Sequence, residues 1–220
     1  MTDLGFPLWL SLRVACLATA IALPLGILIA HVQARFRYPG HGLVSTLVLL
    51  PLVLPPSVTG YYLVVLLGHD GLLGGVLQRL TGISLMFTFW ACVIASATVA
   101  LPLVVRSVQG VFESLDPSFD EIAYTLGAGR LETFLRVRLP LARQALLGGG
   151  VLAFARALGE FGATMMFAGN VPGRTNTMPL EVYSAYVAGD DARAHLLALV
   201  LVATSALVLI ASERIARSNS

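Results

Sequence analysis

The sequence of 220 residues contains no lysine, so all 14 of its basic residues are arginine. A P-loop uses a lysine to reach the phosphates of a nucleotide, so the chain has no standard ATP site of that type. Charged residues of both signs make up only 12% of the sequence, about half the share in typical soluble proteins. The net charge of +2 is too small to indicate binding to nucleic acid.

Cysteine is also rare. Cys16 and Cys92 lie 76 positions apart, each inside an apolar run with no second thiol nearby. Neither the number nor the spacing suits a zinc site or a disulfide framework. We therefore expect two small buried side chains and no metal site.

Apolar residues, by contrast, are abundant. Hydrophobic residues make up 57% of the chain, and the mean hydropathy is +0.84. A soluble protein of 23.3 kDa could not cover its surface with so few charges, which predicts an integral membrane protein. The apolar runs lack the alternation of barrel strands and are long enough to cross a bilayer as helices, which takes about 20 residues. We predict one all-α domain over residues 1–220 with five spans at about 7–30, 43–67, 83–105, 145–168 and 194–211.

The distribution of arginine predicts the orientation. Segments 31–42, 106–144 and 212–220 hold nine arginines, whereas segments 1–6, 68–82 and 169–193 hold three. Because loops rich in Lys and Arg stay in the cytoplasm, the N-terminus is expected outside and the C-terminus inside.

The second predicted span contains Pro51, Pro55 and Pro56, which remove helix hydrogen bonds. These prolines could divide the run into two half-helices, but 25 residues are too few to cross a bilayer twice. We therefore predict a single kinked span. Whether the kink lines a permeation path or only improves packing stays open.

The segment 106–144 is the longest polar stretch and carries 10 of the 26 charges. Asp116-Pro117 suits a helix start, and Ser118 with Glu121 has the spacing of a capping box. Glycines at 127 and 129 predict the end of this helix, and a second helical run follows to Arg138. One face of the first helix is apolar and needs a cover, either the rest of the bundle or another protein; its members are Phe119, Ile122, Ala123 and Leu126.

This segment resembles the cytoplasmic loop of permease subunits in ATP-binding-cassette importers. That loop reads Glu-Ala-Ala, three residues, Gly, nine residues, Ile-x-Leu-Pro, and here the matching positions are 121–123, Gly127 and 137–140. The alternative is an ordinary amphipathic surface loop. The resemblance implies a type I importer permease fold, with residues 118–126 as a coupling helix that docks on a separate ATPase subunit. The coupling residues would be Ser118, Asp120, Glu121, Ala123, Leu126, Gly127 and Pro140.

Within that resemblance, Glu121 would anchor the loop through charge or capping, and Gly127 would permit the sharp turn.

A second resemblance lies in the fourth span and the segment after it. Arg-Ala-Leu-Gly-Glu-Phe-Gly-Ala-Thr at 156–164 is followed by Pro-Gly-Arg-Thr at 172–175. Both are similar to permeases of molybdate importers. Sulfate permeases share the Gly-Glu-Phe-Gly core, so the later segment discriminates better.

The fourth span also carries two charges. Arg156 and Glu160 are four positions apart and can pair on one helix face, which matters because a charge at mid-membrane costs about 2.5–3.5 kcal/mol. Either Arg156 helps an oxyanion through, or the pair fixes helix packing; we favour packing, because Glu160 offsets the positive field that an anion needs. Gly159 and Gly162 predict a ridge of small residues on the same helix, at a dimer interface or a gate. The predicted path or gate consists of Arg156, Gly159, Glu160, Gly162 and Thr164.

The resemblance thus implies the permease subunit of a molybdate importer in a bacterial inner membrane, without catalysis of its own. Its implied partners are a second copy of itself, two ATPase subunits that hold ATP and Mg, a periplasmic oxyanion-binding protein and the lipid bilayer. No cofactor is expected in this chain. Two alternatives stay open: the same machine for tungstate, sulfate or thiosulfate, and a stand-alone secondary transporter or channel.

Overall fold

The computed structural model describes residues 4–218, which form helices joined by short connections. Three of these helices are long: α1 (Gly5–Arg35), α5 (Phe89–Ser114) and α12 (Asp191–Ser218). The shorter ones before α5 are α2 (His41–Val53), α3 (Pro56–Leu67) and α4 (Gly74–Thr81). Between α5 and α12 lie α6 (Ser118–Thr125), α7 (Arg130–Thr133), a π-helical turn (Phe134–Arg138), α8 (Leu139–Leu141), α9 (Arg143–Leu158), α10 (Gly162–Phe167) and α11 (Met178–Val187).

The core lies where α1, α5 and α9 pack together. Most of the buried side chains there are small, including Ala15, Ala18, Ala100 and Ala153. Small side chains let helix backbones approach closely, which is how helices associate when the hydrophobic effect gives little drive in lipid. At Gly26 the approach is so close that an added Cβ would lie 2.6 Å from Cγ1 of Val104. The contact between α1 and α5 therefore leaves no room for a side chain at position 26.

Three of the predicted spans correspond to single helices that are long and apolar enough to cross a membrane: α1, α5 and the part of α12 over Asp191–Ala211. The third span begins later than predicted, because residues 83–88 are not helical. Thr88 ends that stretch by capping α5, its hydroxyl accepting a hydrogen bond from the Ala91 amide at 3.3 Å.

The predicted second span is not a kinked helix. It consists of α2 and α3, which meet at a bend of 120°, far beyond an ordinary proline kink. The break falls at Leu54, whose backbone is extended (ψ 145°), because a residue that precedes proline is disfavoured in the helical conformation. The prolines therefore predicted a distortion, and the structure shows a change of direction.

The predicted fourth span, 145–168, is also broken. α9 ends at Leu158, residues 159–161 are not helical, and α10 begins at Gly162. At 16 residues, α9 is shorter than a full crossing. Within residues 4–218, three helices pass as spans by length and composition, or four if the bent α2–α3 pair counts as one; the prediction was five. Of the two cysteines, Cys92 is buried as predicted, but Cys16 is exposed.

Candidate functional site: the loop between α5 and α9 and the break before α10

The start of α6 is capped by Asp116. Its Oδ1 accepts a hydrogen bond from the Ser118 amide at 2.8 Å. That bond, together with one from the Ser118 side chain, holds the pKa of the Asp116 carboxyl below its ordinary value. The predicted start at Asp116-Pro117 is confirmed, whereas Ser118 is not the cap and forms no side-chain cap bond. A capping box with Ser118 as N-cap would place the first helical residue at Phe119, whereas α6 begins one residue earlier, at Ser118. The preceding proline suits this start because its ring fixes φ near the helical value.

The apolar face of α6 is exposed. Phe119, Ile122 and Leu126 are 44%, 57% and 82% exposed, whereas Ala123 is buried. These residues line a groove of about 470 Å³, which is closed on its other side by residues of α7 and the π-helical turn. A helix with its large apolar side chains outward offers a surface for a partner. Pro140 lies at a second groove, which also includes Phe119.

Gly127 ends α6 in the left-handed conformation, with φ +86°. The Gly127 amide donates to the Tyr124 carbonyl, and the Ala128 amide donates to the Ala123 carbonyl, both at 3.0 Å. This pair of bonds is a Schellman motif, which glycine forms without the strain that a Cβ adds. The predicted sharp turn at Gly127 is confirmed.

Asp120 is the centre of the polar contacts in this loop, a role that the sequence pattern did not indicate. Its Oδ1 accepts from Arg138 Nε at 2.9 Å, and its Oδ2 accepts from Arg138 Nη2 at 2.6 Å. Oδ2 also accepts from Nη1 of Arg35, on the last turn of α1, at 3.1 Å. Arg35 in turn donates from Nη2 to the Tyr124 hydroxyl at 2.7 Å. The hydrogen bonds from Arg138 are the main cause that lowers the pKa of Asp120.

The predicted anchor of the loop, Glu121, is not the residue that anchors it within this chain. Glu121 is exposed, and its side chain forms no ion pair with any residue the structure describes. The neighbouring Asp120 takes that role because it lies on the side of α6 that faces the bundle. No local spacing indicates this, since its partner Arg35 is 85 positions away.

At the break before α10, the predicted pair of Arg156 and Glu160 is confirmed, with Nη1 and Oε2 2.5 Å apart. The Glu160 side chain is 1% exposed and the Arg156 side chain 30%. The other carboxylate oxygen of Glu160 accepts a hydrogen bond from the Ala163 amide at 2.7 Å. Glu160 therefore joins the end of α9 to the beginning of α10.

The predicted ridge of Gly159 and Gly162 is wrong, because the helix breaks between them and they do not share a face. A Cβ at Gly159 would meet only the Ala155 carbonyl oxygen, at 3.7 Å, whereas a Cβ at Gly162 would lie 2.8 Å from Cβ of Pro56. Gly60 makes the reciprocal approach from α3, where a Cβ would lie 2.8 Å from Cα of Ala163. The glycines thus let α3 and α10 of the same chain pack closely. Thr164 is buried beside them, and its hydroxyl has no partner among the described residues.

Hydrogen bonds and an ion pair hold α11 and the segment before it against α1 and α12. The Met178 amide donates to the Ser11 hydroxyl of α1 at 2.7 Å. Within the segment, the Gly173 amide donates to Asn176 Oδ1 at 2.9 Å, and Glu181 pairs with Arg193 of α12. α11 (Met178–Val187) follows this segment directly.

The arrangement of helices is one known from transport complexes. The chain superposes on a chain of a bacterial ABC transporter involved in the import of the acidic polysaccharide alginate, with a TM-score of 0.78. The match covers 99% of this chain and 80% of that one, at 14% sequence identity. It shows that the two chains share the fold of an importer's membrane component.

Sequence comparison gives the family. Residues 22–218 match the family described as "binding-protein-dependent transport system inner membrane component", and the chain belongs to that family. It is therefore a multi-pass membrane protein and a component of a transport system. The molybdenum transport system permease protein ModB of Escherichia coli (strain K12) is 41% identical over 209 residues, which cover 94% of this chain and 91% of that protein. The sulfate transport system permease protein CysT of Salmonella typhimurium (strain LT2) is 39% identical over 184 residues, which cover 84% of this chain and 66% of CysT.

Proposed function

We propose that the chain is the membrane-spanning subunit of an ATP-driven importer of molybdate in a bacterial inner membrane. The observation that carries the proposal is the 41% identity to a molybdenum permease over nearly the full length of both chains. The sulfate permease is similar in identity but extends well beyond this chain. Sulfate is therefore a second candidate substrate, on sequence similarity. Tungstate is a further candidate, because its chemistry is so close to that of molybdate.

The exposed apolar face of α6 supports docking on a separate ATPase subunit. Since this chain lacks a P-loop lysine, ATP and Mg are assigned to the partner, and no cofactor is assigned to this chain. Movement of the ATPase pair on ATP binding would shift α6 and, through it, the helix bundle. Glu121 stands free beside the docking face, where its charge can meet a basic group of the ATPase. In this arrangement the N-terminus lies outside and the loop with α6 lies in the cytoplasm.

Uncovered apolar surface supports a second copy of the chain. None of the side chains of α2, all of which the structure describes, is buried, and only 11% of the apolar window of α12 is buried. Lipid and a second copy would share these surfaces. Two ATPase subunits would then dock on the two copies of α6, and a periplasmic binding protein would deliver the oxyanion on the opposite side.

The contacts of Glu160 favour a structural role for the charges at the helix break. Glu160 is paired with Arg156 and also caps α10, so it neutralises the positive charge that would attract an anion. The path residues proposed from the sequence are Arg156, Gly159, Glu160, Gly162 and Thr164. Uptake by the Arg156→Gln variant tests the path role of that residue: normal transport with normal assembly would contradict it.

The proposal as a whole is tested by co-purification with a candidate ATPase, followed by molybdate uptake into proteoliposomes that carry the binding protein. We expect uptake only with ATP, with weaker competition from sulfate than from tungstate. A stand-alone transporter would instead take up molybdate without the ATPase, driven by an ion gradient. Stronger uptake of sulfate than of molybdate would favour the second candidate.

The docking role of α6 has its own test. Glu121→Lys should insert into the membrane normally but lose most ATP-driven uptake, because the reversed charge faces the ATPase. Glu113→Lys is the matched control, since Glu113 is exposed near the same end of the bundle and, among the described residues, its side chain bonds only to Gln109. Wild-type uptake in Glu121→Lys would count against the docking assignment.

A further inference from the structure

α6 has its sides reversed relative to a helix on the surface of a soluble protein. Its large apolar residues Phe119, Ile122 and Leu126 face outward, whereas the charged Asp120 is turned inward and only 9% exposed. The outward side is free for a partner. The inward side is attached to the rest of the chain through Asp120 and Tyr124. A force applied to the outer side therefore leaves α6 through these two residues, through the packing of the buried Ala123, or through the ends of the helix.

The inward attachment leads to α1. Arg35 reaches Asp120 and Tyr124 from the last turn of α1. One turn earlier, the ring of His31 contacts two aromatic rings, its centre lying 4.5 Å from that of Phe134 in the π-helical turn and 5.9 Å from that of Phe112 in α5. The loop between α5 and α9 is thus attached to α1 on two successive turns of that helix, by polar contacts at Arg35 and by aromatic contacts at His31.

The other end of α1 is attached to the start of α11. Ser11 accepts the hydrogen bond of the Met178 amide, and both residues are buried. Ser11 and Arg35 are 24 positions apart on one helix, which corresponds to about 36 Å at about 1.5 Å per residue. Between them α1 packs on α5 with the close contact of Gly26 and Val104. α1 is continuous through Pro24, so the contacts at its two ends belong to one helix.

We propose that α1 transmits movement of α6 to the start of α11, and that the contact of Arg35 with Asp120 is the positioning link at the α6 end. The inference rests on the proposed function, because an ATPase must move α6. Asp120 also binds Arg138, which leads through the π-helical turn to α9. α9 is therefore the competing route, and the two arginines separate the routes experimentally.

The test uses the full complex with ATPase and binding protein in proteoliposomes, and measures molybdate taken up per ATP hydrolysed. In Arg35→Gln we expect the ATPase to co-purify and to hydrolyse ATP, while uptake per ATP falls about tenfold, within the range of 5–150-fold typical of coupling between sites. Asp120→Asn should do the same, and Arg35→Lys should recover part of the coupling by restoring the charge. Glu113→Gln is the control for loss of one charged hydrogen bond at this end and should match wild type.

Unchanged uptake per ATP in Arg35→Gln would overturn the proposal, and a loss confined to Arg138→Gln would assign transmission to α9. A second readout does not need the ATPase: hydrogen exchange of the Met178 amide in the isolated chain. Arg35→Gln should speed this exchange although the substitution is about 36 Å away, whereas Glu113→Gln should not. If the wild-type complex shows no ATP-driven uptake, the proposed function fails, and unchanged exchange at Met178 would then overturn the α1 link separately.

Discussion

Asp120 and Glu160 are both buried carboxylates that bind arginine, and they organise two different regions of the molecule. Glu160 binds Arg156, four positions before it, and the amide of Ala163, three positions after it. Asp120 instead binds Arg138 and Arg35, which lie 18 and 85 positions away. Glu160 links the two sides of the helix break between α9 and α10, whereas Asp120 attaches the loop between α5 and α9 to α1. Burial and pairing alone therefore do not reveal what a carboxylate does.

The largest expected effect separates the two centres by stability. Glu160→Ala should lower the free energy of unfolding in detergent by about 3 kcal/mol, because it leaves a partly buried Arg156 unpaired and removes the cap of α10. Asp120→Ala should lower it by about 1–2 kcal/mol, because the Asp120 side chain is less buried than that of Glu160, at 12% against 1% exposed. Glu160→Gln keeps an acceptor for the Ala163 amide and isolates the ion pair. Equal losses in the two alanine variants would erase the contrast.

The next effect concerns the packing that holds Ala163 beneath Glu160. A Cβ in Gly60→Ala would lie 2.7 Å from Cβ of Met166 and 2.8 Å from the Ala163 carbonyl oxygen. Such overpacking costs about 1–3 kcal/mol and would displace the amide that Glu160 caps. Gly148→Ala in α9 is the control, since nothing lies within 4 Å of its added Cβ. Thermal unfolding of both variants checks this, and an unaffected Gly60→Ala would show that α3 and α10 can move apart.

A smaller effect follows from the lowered pKa of Asp120. A carboxyl whose pKa is lower in the folded state stabilises that state above its unfolded pKa, and this stability is lost as the pH falls through the folded pKa. The Asp120 contacts should therefore persist at mildly acidic pH and weaken only below the ordinary aspartate value of about 3.9. Melting curves from about pH 7 to about pH 3 should show less acid dependence in Asp120→Asn than in wild type. Parallel curves for the two proteins would contradict this.

The smallest effect tests the helix start at Asp116. Asp116→Ala should speed hydrogen exchange of the amides at the start of α6, because the acceptor of the Ser118 amide is lost. Ser118→Ala should leave the exchange nearly unchanged. The reverse order would restore the capping box that the sequence indicated.

The features that could be predicted from the sequence are those set by local geometry. The pairing of Arg156 with Glu160 needs only their separation of four positions, and it forms although Glu160 lies beyond the end of α9. The turn at Gly127 follows from the freedom of glycine to adopt positive φ. The apolar face of α6 likewise follows from its spacing. Each of these needs only residues that are close in the chain.

What could not be predicted depends on tertiary contacts. The apolar pattern of 145–168 continues across the break at 159–161, so nothing in it signals that Gly159 and Gly162 belong to different helices. The prolines of the second span indicated a distortion but not its angle of 120°. The choice of Asp120 over Glu121 as the attached carboxylate depends on where α1 ends, and no motif records that.

The length of α1 has a further consequence. Its 31 residues rise by about 46 Å, whereas the hydrocarbon core of a bilayer is about 30 Å thick. Even with a typical tilt of about 20°, one or both ends must stand among lipid headgroups or in water. Arg35 is the last residue of the helix, so its bond to Asp120 lies within reach of dissolved ions, which screen charges over about 8 Å at physiological salt. The salt content of the adjoining solution is thus one of the variables that set how firmly the loop holds the bundle.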